Sequence, residues 1–174
     1  MPTYQLISSV TVGSGGAASM VFSSIPSTYT DLLVKVSART TVTLADSMGL
    51  QLNGATTGNS SRWLAGTSTA SQSGTDASSV IVVSYAGLPG SSMTANTFSN
   101  IEIYIPNYKG ATAKSISSDS VGENNSGAAF SAQASILAGL QTSTSAITSL
   151  TLNVYTGGNF VQHSTAYLYG ISNA

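Results

Sequence analysis

From Leu32 to Arg39 the chain alternates without a break, with Leu32, Val34, Val36 and Ala38 on one side and Leu33, Lys35, Ser37 and Arg39 on the other. A period of two belongs to a strand, whose successive side chains point to opposite faces, and one largely polar side predicts burial along a single face. The residues just before it predict a corner. Pro26 fixes its own φ and pushes Ile25 towards an extended conformation, while Ser27, Thr28, Thr30 and Asp31 can bond the local backbone. A corner that delivers a core strand sets how two layers of sheet meet.

The same pattern recurs along the chain. Strands are predicted at Tyr4 to Val12, closed by a turn at Gly13 to Gly16, and at Ser19 to Phe22. Leu50 and Leu52 alternate with Gln51 and Asn53, and Asn53-Gly54 is a strong hairpin signal. A weaker strand surrounds Arg62, Trp63 and Leu64. Thr67 to Ser79 is almost wholly small and polar and reads as a long loop, a length uncommon unless the segment makes contacts. Val80 to Tyr85 and Phe98 to Ile105 return to the sheet, with Pro106 ending the latter because proline cannot continue an internal ladder. A short polar strand is expected around Ile116, then a loop from Gly122 to Gly127. Beyond it Phe130, Ala132, Ala134, Ile136 and Ala138 alternate with Ser131, Gln133, Ser135 and Leu137. Ile147 to Tyr155 and Thr165 to Ile171 complete the series, with Phe160 and Val161 placed near the start of the last strand. The prediction is an all-β chain: one domain, an antiparallel jelly-roll-like β-sandwich of roughly eight to ten strands. Residues 1–12 are a candidate N-terminal contact arm.

Charge bears on partners. Charged residues are 6% of the chain and the net charge is −1, against about 25% charged in ordinary domains. Ser and Thr, roughly three residues in ten, must therefore build the surface. Five scattered Lys and Arg supply no phosphate footprint, so nucleic acid is not expected as a partner. A near-neutral surface repels its own copies weakly, which favours self-association. There is no cysteine for disulfide or thiolate chemistry. No basic start followed by an apolar core marks a signal peptide, and no apolar run reaches the roughly 20 residues of a membrane-spanning helix. The expectation is assembly in a cytoplasm, with no membrane partner.

Residues able to carry chemistry are few. His163, the one histidine, stands beside Ser164, and neighbours on a strand point to opposite faces and cannot share a proton. Gly13 to Gly16 lacks the Lys-Ser/Thr end and helix of a phosphate loop. Asp119, Glu123, Asn124 and Asn125 are oxygen donors whose spacing matches no standard calcium loop, so a solvated turn is expected. Trp63 beside Arg62, with Tyr85, Tyr104 and Tyr108 elsewhere, suits either a carbohydrate platform or ordinary packing, and packing is the simpler reading. Six acids in no recognisable pairing give no glycosidase reading. No enzymatic activity, cofactor or metal is expected.

The last strand is apolar on both sides. Tyr167, Tyr169 and Ile171 share one face and Ala166, Leu168 and Gly170 the other. In a two-layer sandwich the second face must be covered by a loop or another subunit, and another subunit is expected. Tyr167, Tyr169 and Ile171, with Trp63 and Tyr104, are the interface candidates.

Three stretches resemble a known module: Ser-Ile-Pro-Ser-Thr-Tyr-Thr-Asp-Leu at 24–32, Asn-Ile-Glu-Ile-Tyr-Ile-Pro-Asn-Tyr at 100–108, and Ser-Thr-Ala-Tyr-Leu-Tyr-Gly-Ile at 164–171. With their spacing they look like a β-sandwich module of tailed-bacteriophage virion proteins, particularly phages of cyanobacteria and other aquatic hosts. That module occurs in capsid decoration (cement) proteins and in tail-fibre proteins. The resemblance implies a jelly-roll-like fold and a homotrimer located in the virion, and it brings no catalytic residues. A decoration protein would clamp the phage major capsid protein, with the segment before Val12 and the Thr67 to Ser79 stretch meeting the shell. A tail-fibre or receptor-binding module would instead present Trp63 and the tyrosines to host-surface glycan.

Overall fold

The alternation at Leu32 becomes an inner strand of a large sheet. The structure, a computed structural model, describes residues 2–67, 70–123, 125 and 133–172. Its strands in chain order are β1 (Thr3–Thr11), β2 (Ser19–Phe22), β3 (Asp31–Ser37), β4 (Asp46–Leu52), β5 (Asn59–Thr67), β6 (Ser71–Asp76), β7 (Ile81–Leu88), β8 (Asn100–Ile105), β9 (Lys114–Gly122), β10 (Gln133–Gln141), β11 (Leu150–Val154) and β12 (Thr165–Ser172). They form an eight-stranded sheet in the order β1-β12-β3-β8-β9-β10-β5-β6 and a four-stranded sheet in the order β2-β11-β4-β7. Every pairing of named strands is antiparallel. The fold is the predicted antiparallel, jelly-roll-like β-sandwich, with 12 strands among the described residues rather than eight to ten.

The core lies between the sheets. Leu32, Val34 and Val36 of β3, Ile101, Ile103 and Ile105 of β8, and Ala166 and Leu168 of β12 face Met20, Phe22, Leu50, Leu52, Leu150 and Leu152 of the small sheet. The three resembling stretches meet here, since β12, β3 and β8 are adjacent. The corner before β3 is clasped by its neighbours. Tyr104 Oη donates to Asp31 Oδ2 (2.9 Å), Asn107 N donates to Asp31 Oδ1 (2.8 Å), and Tyr108 Oη donates to Pro26 O. Thr30 Oγ1 donates to Ile171 O (2.6 Å). A Cβ on Gly170 would strike the Tyr29 ring at 2.3 Å, so only glycine fits beneath that ring. These stretches act together as scaffold.

Four expectations are corrected. The Thr67 to Ser79 stretch is not one loop, because β6 pairs with β5 from Ser61↔Asp76 to Gly66↔Ser71. Its sequence, SQSGTD, shows no apolar alternation because this edge strand lies beyond the reach of the small sheet and only half-buries one face, with Gly74 and Asp76 against Trp63. Asn53-Gly54 does take left-handed φ values of 52° and 69°, but β4 and β5 lie in different sheets, so the turn starts a crossover and not a hairpin. Asn53 Oδ1 accepts from Thr148 N (2.8 Å) and Ser149 N (3.1 Å) instead. The strand at Ile116 is nine residues long. Arg39 lies past the end of β3 and is only 8% exposed. Phe130, Ser131 and Ala132, and part of the Gly122 to Gly127 loop, lie outside the described residues.

Candidate functional site

β10 presents the reverse of an ordinary sandwich strand. Gln133, Ser135, Leu137, Gly139 and Gln141 point inward, while Ala134, Ile136, Ala138 and Leu140 point out. A slip of one residue would exchange the two sets, so the inner set must have a physical reason to be polar. That reason is β7. It is an edge of the small sheet and lies over β9, β10 and β5, where its unpaired backbone groups need partners. Serines of the large sheet provide them. Val82 N donates to Ser61 Oγ (2.8 Å), and Ser118 Oγ donates to Val83 O. Ser84 Oγ donates to Ser120 Oγ (3.1 Å), which shares a hydrogen bond with Ser135 Oγ (2.7 Å). At the far end Gln141 Nε2 donates to Asn59 Oδ1 (2.5 Å). The Gln133 amide has no partner among the described residues. The seam is also tight: a Cβ on Gly139 would meet Ile81 Cγ2 at 2.4 Å.

The apolar residues of β10 are thereby turned outward, where others join them. Ile136 is opposite Leu64 of β5, and Ala134 is opposite both Val121 of β9 and Gly66 of β5. Ile136 is 61% exposed, Leu64 52%, Val121 47% and Leu140 38%. Large apolar side chains scattered singly are normal, but neighbours on one sheet face form a patch. Arg62 opposite Ala138 and Asp119 opposite Ile136 stand in register with it on neighbouring strands.

A charged stripe runs beside the patch. In register across the sheet stand Tyr167, Lys35, Glu102 and Asp119. Lys35 Nζ donates to Glu102 Oε2, and among the described residues this is the only ion pair. The bond from Glu102 is the largest cause raising the Lys35 pKa above its ordinary value; partial burial opposes it, and the charges of Glu102 and Asp119 add to it. A raised lysine pKa stabilises the fold fully below the unfolded value near 10.4, and that contribution disappears as pH rises through the folded value. Both partners are substantially exposed, so solvent screening keeps it small. Lys35→Ala is expected to cost about 0–1 kcal/mol at neutral pH in a urea melt, and nothing above the folded pKa.

At the other end of this face the closing strand is partly covered within the subunit, where a loop or another subunit is the expected cover and another subunit the preferred one. Ile171 and Leu33 are buried. Leu6, Tyr169, Leu33 and Tyr104 stand side by side in register, and bulky cross-strand neighbours shield the inner members of such a row. Tyr4, Leu6 and Tyr167 remain exposed. Tyr104 is half-buried; burial first, and then the bond to Asp31, raise its pKa.

Trp63 points inward. Its ring stacks on Tyr85 with centroids 3.5 Å apart and planes 12° from parallel, and Nε1 donates to Asp76 Oδ2 (2.9 Å). A Cβ on Gly74 would meet the indole at 2.4 Å. The indole is thus a packing element at the sheet edge. The two candidate platforms, Trp63 and Tyr104, do not come together. His163 is exposed in a left-handed turn (φ 73°), while Ser164 is buried and accepts from Arg39 N (3.2 Å). Asp119 faces outward on β9, Glu123 Oε1 accepts from Asn125 N (2.6 Å), and Asn124 lies outside the described residues. Among the described residues no group of three or more His, Cys, Asp or Glu is placed to hold a metal, and no helix is long and apolar enough to cross a membrane.

Sequence reasoning passed over the Leu64, Val121, Ile136 and Leu140 patch. The signal was present in the alternation around Ile136, but the pattern does not reveal which face of a strand meets the core. No family model, curated protein or solved structure matches the chain.

Proposed function

We propose that this chain is a structural protein of a tailed-bacteriophage virion: a homotrimeric decoration protein that binds the outside of the major capsid shell. The observation that carries the reading is the apolar patch at Leu64, Val121, Ile136 and Leu140, exposed in the single subunit while the inner polar row of β10 is largely hydrogen-bonded. Such a patch is the mark of an assembly surface. A second exposed apolar group, Tyr4, Leu6 and Tyr167, stands at the opposite end of the same sheet beyond the charged stripe. Two different patches on one face suit a heterologous contact, in which one patch of each copy meets the other patch of the next and the ring closes. Few charges leave shell binding to shape complementarity. The resemblance of the three scaffold stretches to phage virion modules supports the same reading.

Imaging of intact particles, together with heating of particles made without this protein, tests it. Density is expected at threefold positions over the shell, and the depleted capsids are expected to release their genome at a lower temperature. Density confined to the tail, or depleted particles of unchanged heat and osmotic resistance, overturns the role.

A further inference from the structure

The outward face of the small sheet carries a recess that assembly through the large sheet leaves free. Its floor is Gln51 of β4 and Asn153 of β11; its walls are the segment entering β7, with Ser79 and Val80, and the turn after β11, with Tyr155. Its volume is about 510 Å³, within the size range of small-ligand sites. Beneath the floor the Asn153 and Val80 side chains pack over Gly49, where a Cβ would meet Asn153 Oδ1 and Val80 Cγ2 at 2.8 Å each.

The chemistry of the lining is specific in what it lacks. Among the described residues no Asp, Glu, Lys, Arg or His borders the recess, so they offer no formal charge to hold an anion or a cation. It offers amides and an aromatic ring. Gln51 Nε2 donates to Ser79 O (3.3 Å), which leaves its amide oxygen as an acceptor. Asn153 Oδ1 is turned towards Gly49, sealed from solvent and without a donor among the described residues. Tyr155 is 42% exposed beside these groups, an apolar ring with a polar tip. Amides that both donate and accept, next to an open aromatic face and without formal charge, complement a ring bearing several hydroxyls.

We infer that this recess binds a neutral saccharide. The inference is independent of trimer formation and of capsid location, because the groups that contact the sugar belong to one subunit. Saturation-transfer NMR on the full chain tests it, with methyl glycosides of glucose, galactose, mannose and N-acetylglucosamine as probes, and glucuronic acid and N-acetylneuraminic acid for contrast. At least one neutral probe is expected to bind with a roughly millimolar Kd, and the acidic sugars about tenfold more weakly or not at all. Tyr155→Ala, in an exposed turn, is expected to keep the melting temperature while weakening binding about tenfold; Gln51→Ala is expected to weaken the same probe. No transfer from any neutral probe at about 50 mM, well above the expected Kd, overturns the inference. So does binding that survives both substitutions, or equal binding of the acidic sugars.

Discussion

Replacing Arg39 with alanine is expected to lower stability by about 3–5 kcal/mol, because one side chain supplies the donors to several buried or half-buried acceptors and each acceptor left without one costs about 1–3 kcal/mol before relaxation. For a domain of this size that is a fall of about 10 °C in melting temperature. Among the described residues the guanidinium has no carboxylate partner. Nη1 donates to Thr94 O (2.8 Å), Thr97 O (3.2 Å) and Thr97 Oγ1 (3.0 Å), and Nη2 donates to Gly90 O (2.6 Å) and Met93 O (3.0 Å). The connection between β7 and β8 is therefore folded around one side chain. Burial lowers the pKa of Arg39, but a guanidinium stays charged at any working pH. Its removal leaves carbonyls facing a void, and each buried acceptor without a donor costs about 1–3 kcal/mol before relaxation. Relaxation of the loop towards water sets the smaller net figure. Arg39→Lys keeps the charge but has three donors on one nitrogen, and it is expected to recover no more than about half of the loss. A melting temperature for Arg39→Ala within about 2 °C of the parent, the equivalent of about 1 kcal/mol or less, would show that the loop does not depend on this cation.

Arg39 also shows where the reading of the sequence ran out. Alternation correctly placed β3 and assigned Leu32, Val34 and Val36 to the core, since a two-residue period follows from backbone geometry alone. It put Arg39 on the solvent side by extending that period two residues past the strand's end at Ser37. Lys114 is a parallel case: it is 1% exposed, and Nζ donates to Gly110 O (2.6 Å) and Thr112 O (2.5 Å). Burial lowers its pKa, while the carbonyls favour the ammonium form. Cations satisfied by backbone carbonyls leave no partner residue in the sequence to announce them. β6 was invisible for a related reason: a strand that only half-buries one face has no apolar pattern to display. Where the core is apolar, between β3, β8 and β12 and the small sheet, periodicity was sufficient. Where it is a hydroxyl seam under β7, the polar face is the inner one, and the usual assignment of polar to outside inverts the strand.

That inversion makes Ile136 the residue whose substitution tests the proposed assembly most directly. If copies meet through the patch, Ile136→Lys places an ammonium where Leu64 and Val121 should be sealed from water, and a charge at the centre of an apolar contact is a strong repulsive element. The lost burial alone is worth about 1.5–3 kcal/mol for a side chain taken fully out of water, and each 1.4 kcal/mol is a factor of ten in the dissociation constant. Association is therefore expected to weaken about tenfold to hundredfold per interface, and in a closed ring every interface carries the same change. Sedimentation velocity should show a trimer for the parent and a monomer for the variant at the same concentration. The subunit itself should be unaffected, because Ile136 is 61% exposed and the inner row of β10 is untouched; exposed substitutions of this kind usually stay within about 0.5 kcal/mol. Ser115→Lys, on the same outward face of β9 and opposite Leu140, adds the same charge at the margin of the patch, where rim contacts contribute little, and should leave the trimer largely intact. A parent that sediments as a monomer at high concentration removes the assembly argument. A trimer that withstands Ile136→Lys as well as it withstands Ser115→Lys moves the contact elsewhere on the molecule, with the Tyr4, Leu6 and Tyr167 group the next surface to substitute.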